Sequence, residues 1–214
     1  MKRDTRQAIL DTAKTLFSQR GYNDVSIGEI AGALGISKGN LTYHFKKKEE
    51  IMEAILDSLT PTYPNDPPQS LAELDACLLD MEEARSRNAF YFWNHAQLGQ
   101  LSAKIKGMQR RIYRHHFHLL TQSFRDLRDQ GELSPESYPG EYARVADAIL
   151  LTNIYWLPFS SIKETEASFR PQAWAVLYPH LTRRGREELA GLGIVLDPFD
   201  ASNTLAPDGP MKNT

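Results

Sequence analysis

The stretch GISKGNLTYHFKKKEE, Gly35–Glu50, decides how the chain is read. Gly35 interrupts a helical pattern, as a residue free to adopt positive φ can. Ser37 then stands where it can cap a new, short helix. Leu41 and Phe45 lie one turn apart and give that helix a single apolar edge. Everything else on it is polar: Lys38, Asn40, Thr42, Tyr43, His44, then Lys46, Lys47 and Lys48. A helix that only filled a core would not carry hydrogen-bonding groups at successive positions.

Upstream, Ser26 precedes Glu29 by three positions, a capping-box arrangement, and Ile27, Ile30, Ala31 and Leu34 form an apolar stripe behind it. Two helices joined by about three residues containing a glycine predict a helix-turn-helix unit. An earlier helix is expected from a cap at Asp4 or Thr5, through Ile9, Ala13, Leu16 and Phe17, to Gly21. A fourth starts near Lys47 or Lys48, with Ile51, Ile55 and Leu59 facing inward.

Downstream, TPTYPNDPPQS (60–70) carries four prolines and reads as a connection. Residues 71–129 predict long helices broken near Arg87 and Gly99. DQGELSPESYPG (129–140) is a loop, with Pro135 and Pro139 blocking continuation. Tyr142–Ser168 predicts an apolar helix that Pro158 should kink or end, and Pro171 opens a last helix to about Ala190. No strand pattern or repeat is present. The expected fold is all-α. The expected organisation is a helix-turn-helix unit over residues 1–47, a larger helical domain over 48–196 and a disordered tail over 197–214.

The 214 residues carry a net charge of −2, but unevenly. Residues 1–50 hold nine Lys and Arg against six acids, and the remainder 16 against 21. A basic head on an acidic body directs the head toward a polyanion. Cys77 is the single cysteine, so no intrachain disulfide forms and a reducing compartment fits. No apolar run has the length of a membrane span, and MKRDTRQAIL lacks a signal peptide's apolar core. A cytoplasmic protein without a membrane partner is expected.

The second helix of such a unit lies in the DNA major groove. Ser37 and the N–H groups beside it suit a phosphate oxygen, as does Ser26 at the preceding helix start. Gly39 lets the backbone approach the sugar-phosphate rail. Asn40 and Thr42 suit base edges, and Leu41 or the Thr42 methyl suits a thymine methyl. Tyr43 and His44 suit phosphates. The three lysines add charge where a further helix begins.

Residues 5–55, TRQAILDTAKTLFSQRGYNDVSIGEIAGALGISKGNLTYHFKKKEEIMEAIL, resemble the DNA-binding domain of the TetR family of bacterial transcriptional regulators. The resemblance covers about a quarter of the chain. Beyond it only the layout is similar: many helices, with a pair at the end. It implies phosphate contacts from Tyr43 and His44 and puts Lys48 at the family's basic, DNA-binding position opening the fourth helix. It also implies contacts to bases or nearby backbone from Lys38, Gly39 and Asn40. Thr42 departs from the pattern, because many members carry an aromatic there, so the operator cannot be borrowed from relatives.

The resemblance further implies a homodimer on duplex DNA, with its interface in the last two helices, and a small-molecule pocket between the middle ones. AILLTNIYWLPF is apolar on more than one face, which a partner subunit or a central position in the domain would each explain. Phe90, Trp93, Asn94, Gln97, Phe117, Leu120, Phe124, Asn153 and Trp156 are the candidate lining for an apolar or aromatic ligand. HHFH (115–118) offers too few donors for a closed zinc site, and the neighbouring arginines disfavour a cation; a solvated or pocket-lining role fits better. No cofactor is expected.

The reading is a ligand-responsive repressor binding an inverted repeat. The alternatives are an activator, control by a protein partner, or a helical enzyme or metal-binding protein. No nucleophile–base pair or phosphate loop supports an enzyme.

Overall fold

A computed structural model describes residues 5–58, 66–163 and 168–193. Asp4, Leu59, most of the proline-rich connection and the expected disordered tail lie outside the described residues. Eleven α-helices and one 3-10 turn are described, with no strand among the described residues.

Helices α1 (Thr5–Arg20), α2 (Ile27–Leu34), α3 (Lys38–His44) and α4 (Lys48–Ser58) form the head. α1 packs against α2 and α4, and α2 against α3. Ile9, Ala13, Phe17, Ile30, Leu41, Phe45, Ile51 and Ile55 share one apolar cluster, the faces expected from spacing. That cluster does not stop at residue 47. Phe90 of α6 (Ala89–Trp93), Leu98 of α7 (His95–Leu101), and Ile105 and Met108 of α8 (Ala103–Asp129) complete it.

The body forms around a second cluster. It joins α5 (Leu71–Arg87), the C-terminal half of α8, α9 (Glu141–Ile162), α10 (Phe169–Leu177) and α11 (Arg183–Gly191). Phe124, Phe169 and Trp174 are fully buried there. Asp75 of α5 clasps α10: it accepts from Arg170 Nε at 2.6 Å, Arg170 Nη2 at 2.7 Å and Trp174 Nε1 at 2.8 Å. The 27-residue α8 reaches both clusters and so connects head to body.

The helix breaks differ in part from the sequence expectation. The break expected near Arg87 falls at Asn88, and a further one falls at Asn94. Both asparagines turn their Nδ2 back onto a carbonyl four residues earlier, Ala84 (2.9 Å) and Phe90 (2.8 Å). Asn88 thereby adds a second donor to Ala84 O beside its own backbone N–H, and Asn94 supplies one to Phe90 O at the end of α6.

Gly99 does not break a helix. α7 runs through it to Leu101, and the missing side chain leaves room for the Gln109 amide. The break comes at Ser102, which caps α8 by accepting from Ile105 N (3.1 Å) and donates to Glu53 of α4 (2.6 Å).

α9 continues past Pro158 and ends at Ile162, short of Ser168. Pro158 deprives the Ile154 carbonyl of its helical donor without ending the helix. By length and composition α9 would pass for a membrane span, yet it packs against α8 and α10 as the body's central helix.

The helix expected from Pro171 to Ala190 is two. Pro171 is the third residue of α10. A 3-10 turn (Tyr178–His180) and an isolated bridge between Leu133 and Leu181 separate α10 from α11.

Candidate nucleic-acid interface and adjoining cavity

The turn between α2 and α3 is built by its caps. Ser26 Oγ accepts from Glu29 N (3.2 Å), while Glu29 Oε2 accepts from Ser26 N (2.8 Å). Arg20 grips the same carboxylate at 2.6 Å. The Ser26 backbone and Arg20 hold the Glu29 carboxyl down at about 2. Gly35 adopts φ 71°, which lets Ile36 N reach Ala31 O (3.0 Å). Ser37 Oγ then accepts from Asn40 N at 3.1 Å and starts α3.

Only Leu41 of α3 is buried, and Phe45 follows it into the core on extended backbone. Ser26, Ser37, Lys38, Gly39, Asn40, Tyr43 and Lys46 are exposed; Thr42, His44 and Lys48 are partly so. Tyr43 stands 82% exposed with its ring edge-on to His44, an amphipathic group projecting from the surface. A Cβ at Gly39 would meet only Ser37 Oγ at 3.8 Å, so internal packing does not demand glycine there. Thr42 Oγ1 donates to Gly39 O (3.1 Å), which ties its hydroxyl into the helix. Leu41 is fully buried in this conformation, which leaves the partly exposed Thr42 as the candidate for contact with a thymine methyl.

Lys48 has a task that spacing did not reveal. Its Nζ donates to Tyr22 O (2.8 Å) and Val25 O (2.9 Å) and sits 4.1 Å above the Tyr22 ring. Partial burial lowers the ammonium's pKa. Lys48 therefore pins the loop before α2 to the start of α4.

A cavity of about 110 Å³ lies where head meets body. Leu56 of α4 forms one wall. Ala84 and Asn88, Tyr91 and Phe92, and His95 come from α5, its C-cap, α6 and α7. One face of α8 contributes Ile105, Met108, Gln109, Ile112, Tyr113 and His116, and α9 adds Leu150, Asn153 and Ile154.

Of the nine residues the sequence offered for a pocket, Asn153 alone lines this cavity. Phe90 is core of the head, while Leu120, Phe124 and Trp156 are core of the body with Phe117 packed against them. Asn94 caps α6. Trp93 is half exposed, and Gln97 accepts from Asn23 at the surface (3.4 Å). The physical reason is rotation about the helix axis. Phe117, Leu120 and Phe124 do share a face, but the body core lies opposite it.

Within HHFH, His116 reaches the cavity. Its Nδ1 contacts Ile112 O at 2.9 Å, and since a carbonyl only accepts, Nδ1 carries the proton. Burial pushes this imidazole down to about 4 and lowers His95 as well. Among the described residues no group of three or more His, Cys, Asp or Glu could hold a metal ion. Burial pushes the Cys77 thiol up to about 11, where it is an inert hydrophobe.

The head geometry coincides with a known family pattern. The pattern for bacterial regulatory proteins of the tetR family matches residues 9–55, and that for the bacterial transcriptional repressor TetR matches 51–189. The chain belongs to the TetR family. Similar proteins include the HTH-type transcriptional regulator AcrR of Shigella flexneri, 48% identical over 52 residues, 24% of each chain. QacR of Staphylococcus aureus is likewise 48% identical over 52 residues, 24% of this chain and 28% of that protein. These matches thus span about a quarter of those relatives' length. A TetR-family transcriptional regulator from Marinobacter aquaeolei shares the fold over 89% of this chain and 97% of its own, with a TM-score of 0.75 at 22% identity.

Proposed function

We propose that this TetR-family protein acts in the cytoplasm as a repressor. In this reading it binds an inverted-repeat operator as a homodimer and releases it when a small molecule fills the cavity. The observation that carries the reading is α3: one buried residue, rigid caps, and an otherwise solvent-facing row of polar side chains. Lys38, Gly39, Asn40 and Thr42 meet the groove; Ser26, Ser37, Tyr43, His44 and Lys46 meet phosphates. Lys48 supports them by holding the loop.

One reading head makes too few contacts to select a site, and a dimer reads two half-sites about 34–36 Å apart or a multiple of that. α9 supplies a surface for pairing. Leu151 (60% exposed), Tyr155 (44%), Phe159 (51%) and Ile162 (79%) recur at helical spacing along one side. Such a continuous apolar stripe fits burial against a second copy.

The route from ligand to DNA is short. Leu56, which walls the cavity, belongs to the helix that begins directly after the reading element. A ligand bound against it favours one placement of the head over another, and operator affinity shifts by that difference.

The test is selection of the purified protein on random duplex DNA, with sequencing of survivors. An enriched inverted repeat, released by small molecules that raise the protein's thermal stability, is the expected result. A folded dimer that enriches no sequence in buffer or in cell extract would overturn it.

A further inference from the structure

The cavity's charge points to a class of ligand. None of its lining residues is acidic, and none is Lys or Arg. Tyr113 donates to Asp147 (2.8 Å), whose carboxylate is partly exposed and does not line the space. The two histidines are neutral at physiological pH, because burial lowers both.

A buried cation stands behind the wall at Asn153. Arg85 is 2% exposed and is ion-paired with Glu82, whose Oε1 lies 3.8 Å from Nη2 and outside the cavity lining. Its guanidinium lies 4.8 Å from the Phe169 ring centroid, and Nη1 donates to Asn153 Oδ1 at 2.7 Å. An arginine can only donate, so the amide oxygen of Asn153 must face it. The Nδ2 donors then turn the other way, polarised by the cation behind them.

We propose that the cavity takes a single-ring aromatic ligand that bears an oxygen acceptor for Asn153 and no positive charge. The size sets an upper bound: a cavity of ~150 Å³ holds one benzene ring, and this one, at about 110 Å³, has no room for a second. Tyr91, Phe92 and Met108 supply flat or soft apolar walls. A cation would meet the Nδ2 end of the Asn153 amide, which Arg85 holds in that orientation, with no carboxylate in the lining to receive it. The proposal rests on reading this cavity as the effector site.

The experiment uses benzamide, benzoate and benzamidine, which share a shape and differ in charge, with toluene as an apolar ring. Binding to the full chain is measured by titration calorimetry. Benzamide or benzoate should bind, with benzamidine weaker by about tenfold or more, as expected for one like charge across a small low-dielectric space. Asn153→Asp, isosteric and placed against Arg85, should reverse the order of benzoate and benzamidine. Benzamidine binding the wild type as tightly as benzamide would overturn the proposal. So would binding of toluene alone, which would leave the cavity reading intact. Failure of all four probes would overturn the cavity reading and this proposal with it.

Discussion

Lys48 Nζ sits 4.1 Å above the ring of Tyr22 and donates at 2.8 Å to that residue's carbonyl oxygen. The contact joins the start of α4 to the loop that aims α2 and α3. Lys48→Met should therefore destabilise the fold by about 1–3 kcal/mol, the cost of leaving acceptors without their charged donor. DNA affinity should fall with it. Lys46→Ala, at an exposed site, should leave stability within about 0.5 kcal/mol and reduce the salt slope of DNA binding by about 1. Urea unfolding and salt-dependent binding isotherms separate the two. Unchanged stability in Lys48→Met would return that lysine to a simple phosphate contact.

Asn40 is exposed, with its side chain pointing away from the core. Asn40→Ala should lower affinity by about 1–3 kcal/mol and relax preference at one operator position. Thr42→Val keeps a methyl and removes a hydroxyl already bonded to Gly39 O, so it should change base preference little. Equal losses on operator and random DNA for Asn40→Ala would show a backbone contact instead.

Asp75 holds three donors from α10. Asp75→Ala should destabilise the body by about 2–4 kcal/mol, because Arg170 and the Trp174 Nε1 lose their acceptor. The unfolding midpoint in urea reads this directly. A shift below the error of the measurement would mean that water replaces the carboxylate.

The His116 imidazole is depressed from 6.5 to about 4 in the folded protein. The unfolded chain therefore binds more protons between those values. Stability contributed by the neutral ring is complete above about pH 6.5 and is lost as pH falls toward 4, by up to about 3 kcal/mol. His95 adds in the same direction. Unfolding free energies at pH 7 and pH 5 should differ in that sense, and His116→Phe should flatten the difference.

Phe159 and Leu151 lie on the exposed stripe of α9. The double substitution Leu151→Glu, Phe159→Glu should give a folded monomer by analytical ultracentrifugation, with operator affinity reduced to that of a half-site. A dimer that survives would place the interface elsewhere.

The head was legible because its signals are local. The Ser26–Glu29 box, the positive φ of Gly35 and the Ser37 cap act within a few residues, so spacing alone fixes them. Helix faces were legible for the same reason, as Ile9, Ala13 and Phe17 illustrate. The asparagine-capped breaks at Asn88 and Asn94 were not, since an asparagine also occurs inside helices.

The sequence by itself determined an all-helical chain, a helix-turn-helix with a polar outer face, and an apolar α9. Each follows from period and capping, which need no knowledge of the partner element. Only the tertiary structure decided what lies opposite each face. It turned Phe124 into core and His116 into cavity wall, gave Lys48 two carbonyls, and put Arg85 behind Asn153. Helical spacing records which side chains travel together. Which surface they meet depends on rotation about the axis and on contacts between residues far apart in the chain.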